Sequence, residues 1–398
     1  MKVPAIKGGK PVRKEFLVFG KPDIQKAEID EVVDTLKSGW IGTGPKTMLL
    51  EKKFAKYCNS RHAVSVNSCT AGLFLALKAF GVSQGDEVIT SPLTFAATAN
   101  VIEHLGAKPV FVDVEKSTGN IDTALIEEKV SEKTKAIMPV HLYGRPCDME
   151  KITATAKKHS LKVLEDAAHA VEAEFNGKKI GSISDATAFS FYATKNMTTA
   201  EGGMVTTGDS ALAERLSVLR LHGISKDAWK RYSSEGFKPY DVLEPGYKYN
   251  LTDLQASLGL HQFERLEKNL KKRKAICKKY EGAFSKTEGI LLMDRSEKGL
   301  KDARHLFTIL IEPEKLKIDR NNFIEALRAE GIGSGIHFLS LHESSYYRQK
   351  YGYRKEDFPN ATFISDRTIS LPLAPNLSEK DTDNVIEAVQ KIVSFFKK

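Results

Sequence analysis

The fold is decided by the stretch Asp185-Ala-Thr-Ala-Phe-Ser-Phe-Tyr-Ala-Thr-Lys195-Asn-Met-Thr-Thr-Ala-Glu-Gly-Gly203. Its apolar run, residues 186–191, predicts a buried strand, and a second short strand is predicted over 204–207. Between them lies a small polar cluster, Tyr192, Thr194, Lys195 and Asn196. Lys195 is therefore expected at the end of a strand. Partial burial there would lower the amine's pKa from about 10.4, which suits a lysine that binds a cofactor covalently.

Composition limits the class of protein. A chain of 398 residues can bury a large core and predicts one large and one smaller domain. The net charge of +9 is modest for this length, and the basic residues are scattered along amphipathic segments without interleaved aromatic residues. This pattern favours solvated helix faces over a nucleic-acid surface, although part of the charge would suit an anionic substrate.

Cysteine usage and hydropathy point to a reducing compartment. The cysteines, Cys58, Cys69, Cys147 and Cys277, lie far apart and form no CxxC pair. This argues for reduced thiols and against a zinc or other metal site and a disulfide scaffold. The first residues lack the apolar core of a signal peptide, and no run of about 18 apolar residues occurs. We predict a cytoplasmic protein that is not inserted in a membrane.

Strands and helices alternate between residues 61 and 207. Strands are predicted at His62–Val66, Asp86–Ser91, Pro109–Val114, Lys135–Val140, Leu161–Glu165, 186–191 and 204–207, with helices at Leu73–Phe80, Phe95–Leu105, Asp122–Val130 and Met149–His159. Such alternation predicts an α/β fold whose sheet is mostly parallel and covered by helices on both faces. Ligands bind beyond the carboxyl ends of such strands, where the polar stretches 67–72, 91–95, 165–169 and 190–195 fall.

The two ends of the chain are less regular. A helix over Asp23–Leu36 precedes the loop Ser38-Gly-Trp-Ile-Gly-Thr-Gly-Pro-Lys46, which is either a helix-to-helix turn or a loop that approaches a ligand closely. Thr252 or Asp253 is expected to cap a long helix that runs to about Phe284. Strands at Leu306–Ile311 and Gly335–Phe338, with helices at Asn321–Glu330 and Asp381–Phe396, predict a smaller α/β domain.

Asp166 and His169 follow the strand Leu161–Glu165. A carboxylate at this place is either a ligand contact or a cap for the next helix. Pyridoxal phosphate (PLP) needs an acidic partner for its ring nitrogen, because the protonated ring is its electron sink, and Asp166 suits that task. His169 would reach the cofactor's phenolic oxygen, or it is a structural histidine.

The remaining parts of a PLP site fall at other strand ends. Ser68-Cys-Thr-Ala-Gly72 opens a helix and either binds phosphate, through N–H groups and the Thr70 hydroxyl, or merely caps the helix. Phe95 would stack on a flat ring or belong to the core, and Ser190 would add a hydroxyl to the phosphate. Together with Lys195 and Asp166 these residues predict a PLP site.

Seven motifs occur in order along nearly the whole chain: Ser38–Lys46, Gly85-Asp-Glu-Val-Ile-Thr90, Glu165-Asp-Ala-Ala-His169, Ser190-Phe-Tyr-Ala-Thr-Lys195-Asn, Glu201-Gly-Gly203, Pro245-Gly-Tyr-Lys-Tyr-Asn-Leu-Thr-Asp253 and Gly331-Ile-Gly-Ser-Gly-Ile-His337. They resemble the DegT/StrS-like sugar-nucleotide aminotransferases, which are fold type I PLP enzymes. The resemblance implies a three-layer, PLP-binding large domain with a mostly parallel seven-stranded sheet. We place this domain and an N-terminal arm at residues 1–255, and a long linking helix with a small C-terminal α/β domain at 256–398.

The resemblance also implies roles for single residues. Lys195 would carry the cofactor and move the proton, and Asp166 would hold the ring nitrogen. Phe95 matches the ring-stacking position and His169 the position beside the phenolic oxygen. Further matches are Thr70, Ala71 and Ser190 at the phosphate, Asn250 reaching the phosphate from the neighbouring subunit of a homodimer, and Lys46, Tyr192 and His337 as substrate contacts. Judged without the resemblance, Asn250 would be a turn residue ahead of a helix cap.

The implied reaction is a two-stage transamination. L-Glutamate gives up its amino group and leaves as 2-oxoglutarate, and a keto sugar nucleotide then takes the amino group. Ser38–Lys46, Tyr247–Asp253 and Ser370-Leu-Pro-Leu373 most resemble the enzymes that make UDP-4-amino-4-deoxy-L-arabinose. This implies a UDP-linked 4-keto sugar and a role in surface polysaccharide, lipid A or related glycan synthesis. Because Phe338-Leu-Ser-Leu-His342 lacks the basic residue of that subgroup, 3-keto sugars and dTDP- or GDP-linked sugars stay open.

Three other functions compete with transamination. A sugar dehydratase on the same fold would carry a histidine in place of Lys195. Desulfuration would need a reactive cysteine loop, and none of the cysteines lies in one. A regulatory protein that only shares the fold would not need Lys195, Asp166 and Asn250 together. The residues present therefore favour the aminotransferase.

Overall fold

A computed structural model describes residues 2–225, 241–296 and 298–398. The strands are β1 (His62–Val66), β2 (Glu87–Thr90), β3 (Lys108–Phe111), β4 (Thr134–Met138), β5 (Lys162–Asp166), β6 (Glu174–Phe175), β7 (Lys178–Lys179), β8 (Ala186–Ser190), β9 (Gly203–Thr207), β10 (Ile290–Leu292), β11 (Leu300–Lys301), β12 (Phe307–Ile311) and β13 (Thr368–Leu371). The helices are α1 (Lys26–Ser38), α2 (Pro45–Cys58), α3 (Cys69–Ala79), α4 (Ala96–His104), α5 (Met149–Lys158), α6 (Ser210–Leu219), α7 (Asp253–Glu264), α8 (Leu266–Phe284), α9 (Arg320–Ala329), α10 (Ser345–Tyr351), α11 (Pro359–Arg367) and α12 (Glu379–Phe396). Among the described residues, no helix is both long and apolar enough to cross a membrane.

The central sheet has seven strands in the order β1-β9-β8-β5-β4-β2-β3. Neighbouring strands from β8 to β3 run parallel, whereas β9 is antiparallel to both β1 and β8. The predicted mostly parallel α/β sheet is confirmed. In its register Asp166, the last residue of β5, lies beside Ala188 of β8, so the ends of these strands meet at one edge of the sheet.

Both faces of the sheet are buried, which explains the unbroken apolar run of β8. Successive side chains of a strand point to opposite faces. Phe189 accordingly packs in a cluster with Leu50 and Phe54 of α2, while Ala188 packs in a second cluster with Leu75 of α3. A strand covered on both faces needs apolar residues at every position, not at alternate ones.

The C-terminal part forms a second core. Strands β10, β12 and β13 make an antiparallel sheet, and its buried side chains pack with those of α8, α9 and α12. A further cluster joins this part to the central sheet, since Phe111 and Tyr143 pack with Leu310 and Phe358. The division at residues 255 and 256 stays a prediction, because α7 begins at Asp253 and packs on α1 and α2.

The structure differs from the sequence predictions at three places. The predicted helix over 122–130 is two short 3-10 turns, because the Asp122 carboxylate accepts from the N–H of Ala124 and Val130 is extended. The long helix breaks at Arg265, whose guanidinium binds Glu28 of α1. The segment 335–338 is not a strand. Within it only Gly335 forms a β-bridge, to Ser370, and the side chain of His337 is hydrogen-bonded to the Ser370 hydroxyl.

Candidate active site

A pocket of about 460 Å³ opens beyond the carboxyl ends of β5 and β8. The parallel register of these strands brings together polar residues that are far apart in sequence. Most of the predicted site residues line this one pocket: Thr70, Phe95, Asp166, His169, Ser190, Tyr192, Lys195 and His337. The convergence predicted at the strand ends is therefore present in the fold.

Lys195 lies in the turn that follows β8, and its backbone N–H donates to the carbonyl of Tyr192 at 2.9 Å. Burial lowers the pKa of its amine to about 8, while the nearby Cys69 and Asp166 oppose that shift. At pH 7.5 roughly one such lysine in four is neutral, against about one in a thousand for an ordinary lysine. The amine is thus prepared for nucleophilic and proton-transfer chemistry at neutral pH.

Asp166 is a buried carboxylate at the floor of the pocket. The hydroxyl of Thr98 donates to its Oδ2 at 2.8 Å, and the N–H of Ala168 donates to its Oδ1 at 3.2 Å. Burial raises the pKa of this carboxyl, and these two hydrogen bonds and Lys195 oppose the rise. A cation placed against Asp166 would therefore satisfy a carboxylate that the fold leaves without a directly bonded basic partner among the described residues.

His169 presents a hydrogen-bond donor to the pocket. The N–H of Tyr143 donates to its Nδ1 at 3.2 Å, so that nitrogen is an acceptor. Burial, together with Lys195, His305 and His337, holds the pKa of the ring well below its usual value. A neutral imidazole that accepts at Nδ1 carries its proton on Nε2. His169 is therefore suited to donate to an oxygen of a bound ring.

The amino end of α3 forms one end of the pocket. Ser68 caps this helix by accepting from the N–H of Ala71 at 3.1 Å, and Thr70 and Ser190 line the pocket beside it. Gly203 of β9 permits the approach of strand to helix, because a Cβ there would lie 2.7 Å from the backbone nitrogen of Cys69. A helix amino end with two adjacent hydroxyls is suited to an anion.

Two aromatic residues flank the opening. Phe95 is the residue before α4, and its side chain is 63% exposed although it is a large apolar group. The Phe338 ring lies 6.1 Å from it, centroid to centroid. An exposed phenyl ring at the mouth of a polar pocket is available for stacking on a planar ligand.

His337 and Tyr192 complete the rim. The Nδ1 of His337 lies 2.8 Å from the Ser370 hydroxyl, and its ring stacks on Phe19 of the N-terminal segment at 5.5 Å. Burial, and secondarily Lys195, lowers the pKa of His337 to about 4. Tyr192 is half exposed at the same rim. Both positions stay predictions as substrate contacts, and both border the space where a substrate would lie.

Three predicted site residues do not line this chain's pocket. The Lys46 amine is paired with Glu31 and Asp34 of α1, at 2.6 and 2.8 Å. The N–H of Ala71 is occupied by Ser68. The side-chain amide of Asn250 donates to the Thr43 hydroxyl at 2.7 Å, in the loop 38–46. Lys46 and Asn250 could therefore serve a site only across a subunit boundary.

Sequence reasoning missed several residues that support the site. Thr98 contacts Asp166 from helix α4, and its only signal was its spacing of four from Thr94, with which it shares a hydrogen bond of 2.8 Å. Thr252, not Asp253, caps α7. The Asp253 carboxylate instead accepts from the N–H groups of Gly44, Lys46 and Thr47 and fixes the loop 38–46 at the start of α2. These hydrogen bonds hold the motif Ser38–Lys46 against the motif Pro245–Asp253, so the two motifs lie together in the fold.

Comparison with known proteins identifies the family. The model of the DegT/DnrJ/EryC1/StrS aminotransferase family matches residues 22–390. The chain belongs to this family. The spore coat polysaccharide biosynthesis protein SpsC of Bacillus subtilis is 52% identical over 382 residues, which are 96% of this chain and 98% of SpsC.

Solved structures agree with this assignment. Spr1654 of Streptococcus pneumoniae, named as a sugar aminotransferase, has a TM-score of 0.88 in its PLP form, with 36% identity over 96% of this chain and 99% of its own. It is also known in a PMP form. DesI in the presence of its TDP-sugar product has a TM-score of 0.86 and 29% identity, over 97% of this chain and 95% of its own. The chain is a PLP-dependent sugar aminotransferase.

The residues of the pocket fit this cofactor. A protonated ring nitrogen would supply the cation that Asp166 lacks, and the Nε2–H of His169 suits an oxygen on the ring. The amino end of α3, with Thr70 and Ser190, suits the phosphate. The lowered pKa of Lys195 suits covalent attachment.

Proposed function

We propose that this enzyme transfers the amino group of L-glutamate to the C4 carbonyl of a UDP-linked 4-keto sugar, giving a 4-amino sugar nucleotide for a surface glycan. The observation that carries the aminotransferase chemistry is Lys195, at the floor of the strand-end pocket with a pKa near 8. The choice of glutamate, C4 and UDP rests on motifs: Ser38–Lys46, Tyr247–Asp253 and Ser370–Leu373 resemble enzymes of that specificity.

Bound PLP supplies the electron sink that stabilises negative charge on the carbon losing its proton. The rest of the chemistry falls to the chain. The neutral amine of Lys195 removes the proton from Cα of the amino donor and holds it at Nζ. Asp166, supported by Thr98, would hold the ring nitrogen. The Nε2–H of His169 would orient the ring, and Phe95 would stack on it and exclude water.

The identity of the sugar and of its nucleotide is the more specific part of the proposal and needs its own test. The test is to convert the purified enzyme with L-glutamate, remove excess amino acid, and challenge it with a panel of keto sugar nucleotides. The panel varies the keto position (C3 or C4) and the nucleotide (UDP, dTDP or GDP), and mass spectrometry detects the amino sugar. We expect the UDP-linked 4-keto sugar to be aminated fastest. Faster turnover of a 3-keto sugar or a dTDP-linked sugar would replace this assignment.

We further propose a homodimer whose subunits share their active sites. Helix α1, the loop that follows it and the start of α2 expose large apolar side chains to solvent: Ile29, Val33, Leu36, Trp40, Ile41, Met48 and Leu49. A monomer seldom leaves so many such groups together on its surface, and a second copy would cover them. Asn250 lies against Thr43 of the same loop, so it would face a neighbouring subunit.

Hybrid dimers test the sharing. Subunits carrying Lys195→Ala are mixed with subunits carrying Asn250→Ala after mild dissociation. If Asn250 serves the partner's phosphate site, a hybrid contains one site with neither change and regains activity of up to half the wild-type value per dimer. If activity stays at the level of the separate variants while hybrids are seen by native mass spectrometry, Asn250 acts within its own subunit.

A further inference from the structure

A second, smaller cavity lies on the other side of Lys195. It has a volume of about 40 Å³ and is lined by residues from distant parts of the chain, among them Lys195, Asn196, Arg273 and His305. This volume suffices for a water molecule, which needs about 10–15 Å³ and polar neighbours. The cavity is separate from the pocket assigned to the cofactor, but Lys195 borders both.

A chain of buried hydrogen bonds fixes the amide of Asn196, the residue after Lys195. Its Nδ2 donates to Glu172 Oε2 at 2.6 Å and to the carbonyl of Ala303 at 3.1 Å. Glu172 is in turn held by the guanidinium of Arg273, and both of these side chains are almost wholly buried. Because carboxylate and carbonyl oxygens only accept, the Asn196 amide has one possible orientation, with Oδ1 on its far side.

That orientation determines the tautomer of His305. Asn196 Oδ1 lies 2.8 Å from His305 Nδ1 and can only accept, so Nδ1 carries the proton. Burial holds the pKa of His305 well below its usual value, and Lys195, Arg273 and Arg295, with His337 when it is protonated, act in the same direction. Lys21 and Asp23 also line the small cavity. His305 is therefore neutral, and its Nε2 is a lone-pair acceptor. Nothing in the described part of the chain donates to that nitrogen.

His305 and His169 thus form a close, tilted ring pair with opposite tautomers. Their ring centroids are 4.4 Å apart. His169 accepts at Nδ1 and donates from Nε2 in the cofactor pocket, while His305 donates from Nδ1 and accepts at Nε2. Within residues 2–225, 241–296 and 298–398, the acidic group that bonds into this network is Glu172, which Arg273 neutralises. The acceptor at His305 is therefore maintained by the fold and is independent of pH near neutrality.

We propose that His305 is a positioning residue for Lys195: its Nε2, through a water in the small cavity, accepts a hydrogen bond from the lysine amine whenever that amine is free of cofactor. The inference rests on the proposed role of Lys195. This water-mediated contact would hold the released amine on the side away from the cofactor. The role of Asn196, Glu172 and Arg273 would then be to fix the tautomer of His305.

The test measures Lys195 in the full-length protein freed of cofactor. The rate of acylation of Lys195 by acetic anhydride is followed against pH by peptide mass spectrometry. His305→Asn keeps a donor for Asn196 Oδ1 but lacks the Nε2 acceptor. Since an acceptor stabilises the ammonium form, we expect the variant to lower the midpoint of the Lys195 profile by about one pH unit.

A matched control separates positioning from simple loss of a buried histidine. His342 is equally buried, is held by Ser340 and Thr362, and does not line either cavity. We expect His342→Asn to lower the melting temperature but to leave the Lys195 midpoint unchanged. An unchanged midpoint in His305→Asn would overturn the proposal. Loss of all activity in Lys195→Ala would meanwhile leave the proposed function intact, so the two can fail separately.

A measurement on the unmodified enzyme covers the case in which the variant does not fold. Nitrogen-15 NMR of labelled histidine distinguishes the two neutral tautomers and the charged ring. We expect one buried histidine to carry its proton on Nδ1 and the Asn196→Ala variant to shift that signal, which assigns it to His305 through the hydrogen bond between the two side chains. A proton on Nε2, or a charged ring at pH 7.5, would contradict the proposal.

Discussion

The two sides of Lys195 differ in openness and in how their charges are satisfied. In front lies a pocket of about 460 Å³ whose main carboxylate, Asp166, accepts from a hydroxyl and a backbone N–H and has no directly bonded basic partner in the part of the chain that the structure describes. Behind lies a cavity of about 40 Å³ where Glu172 and Arg273 are paired and buried. The open side holds groups that are placed to react. On the closed side the buried charges are already paired, and the groups there can only position their neighbours.

The difference between the two sides shows how rigid surroundings can support a reactive lysine. Lys195 needs a dry environment to lose its proton near neutral pH, but a dry lysine is destabilising unless its surroundings are fixed. The Glu172–Arg273 pair fixes the turn through Asn196, and the cofactor completes the open side when it binds. Substitutions in the cofactor pocket should therefore affect catalysis. Substitutions around the small cavity should affect the stability of the protein and the protonation of Lys195.

The largest effect is expected from Lys195→Met on the front side. Turnover should fall by roughly 10³-fold or more, because the variant loses both covalent attachment and proton transfer. Steady-state assays with L-glutamate and the best keto sugar nucleotide measure it. If the variant kept even a tenth of the wild-type kcat, the reactive group would not be Lys195, and the distinction between a reactive and a positioning side of this residue would be wrong.

The same variant should stabilise the cofactor-free protein at neutral pH. The pKa of Lys195 falls from 10.5 unfolded to about 8 folded, so between these values the unfolded chain binds more protons and stability rises with pH. At pH 7 the wild-type protein bears the full cost of a buried ammonium, and at pH 10.5 almost none. The melting temperature of Lys195→Met should exceed that of wild type at pH 7, and the gap should narrow by pH 10.

A smaller loss of activity is expected from Asp166→Asn. The neutral amide cannot balance a protonated ring nitrogen, and removal of one partner of a buried charge pair costs about 3 kcal/mol, or roughly 10²-fold in kcat. The absorbance spectrum of the bound cofactor should change with it. An unaltered kcat would mean that another group holds the ring nitrogen.

On the closed side, Glu172→Gln should mainly reduce stability. It leaves Arg273 buried without a counter-charge, at a cost of about 3 kcal/mol in the free energy of unfolding. Denaturant titration measures this, and Glu325→Gln on the exposed face of α9 is the matched control, expected to change stability by less than about 0.5 kcal/mol. If both variants lost equal stability, the closed side would not be the support that we describe.

The smallest effect is expected from Phe95→Ala at the mouth of the pocket. Its side chain is largely exposed, so the cofactor-free protein should keep its melting temperature. Loss of ring stacking, worth about 1 kcal/mol, should weaken cofactor binding by roughly five- to tenfold in an equilibrium titration. A fall in stability without a change in cofactor affinity would instead assign Phe95 to the fold.

The residues of the cofactor pocket were predictable from the sequence, and those around the small cavity were not. Asp166 and Lys195 follow apolar strands directly, and parallel strands bring their carboxyl ends together by rule, so motif and topology sufficed. His305 and Arg273 lie on a loop and on a helix of the C-terminal half. Their approach to Asn196 depends on how that half packs against the sheet, and no local pattern records it. Lys46 stays a prediction as a substrate contact. Its pairing with Glu31 and Asp34 of a neighbouring helix was not predictable either, because it too depends on packing between elements.

Lys195 is the residue expected to carry the cofactor, and this can be tested directly. Reduction of the holoenzyme with sodium borohydride makes a lysine–cofactor linkage permanent, and peptide mass spectrometry then locates it. We expect a single modified peptide, containing Lys195, and its disappearance in Lys195→Met. Modification of any other lysine, or none in an enzyme that still holds its cofactor and turns over, would contradict it.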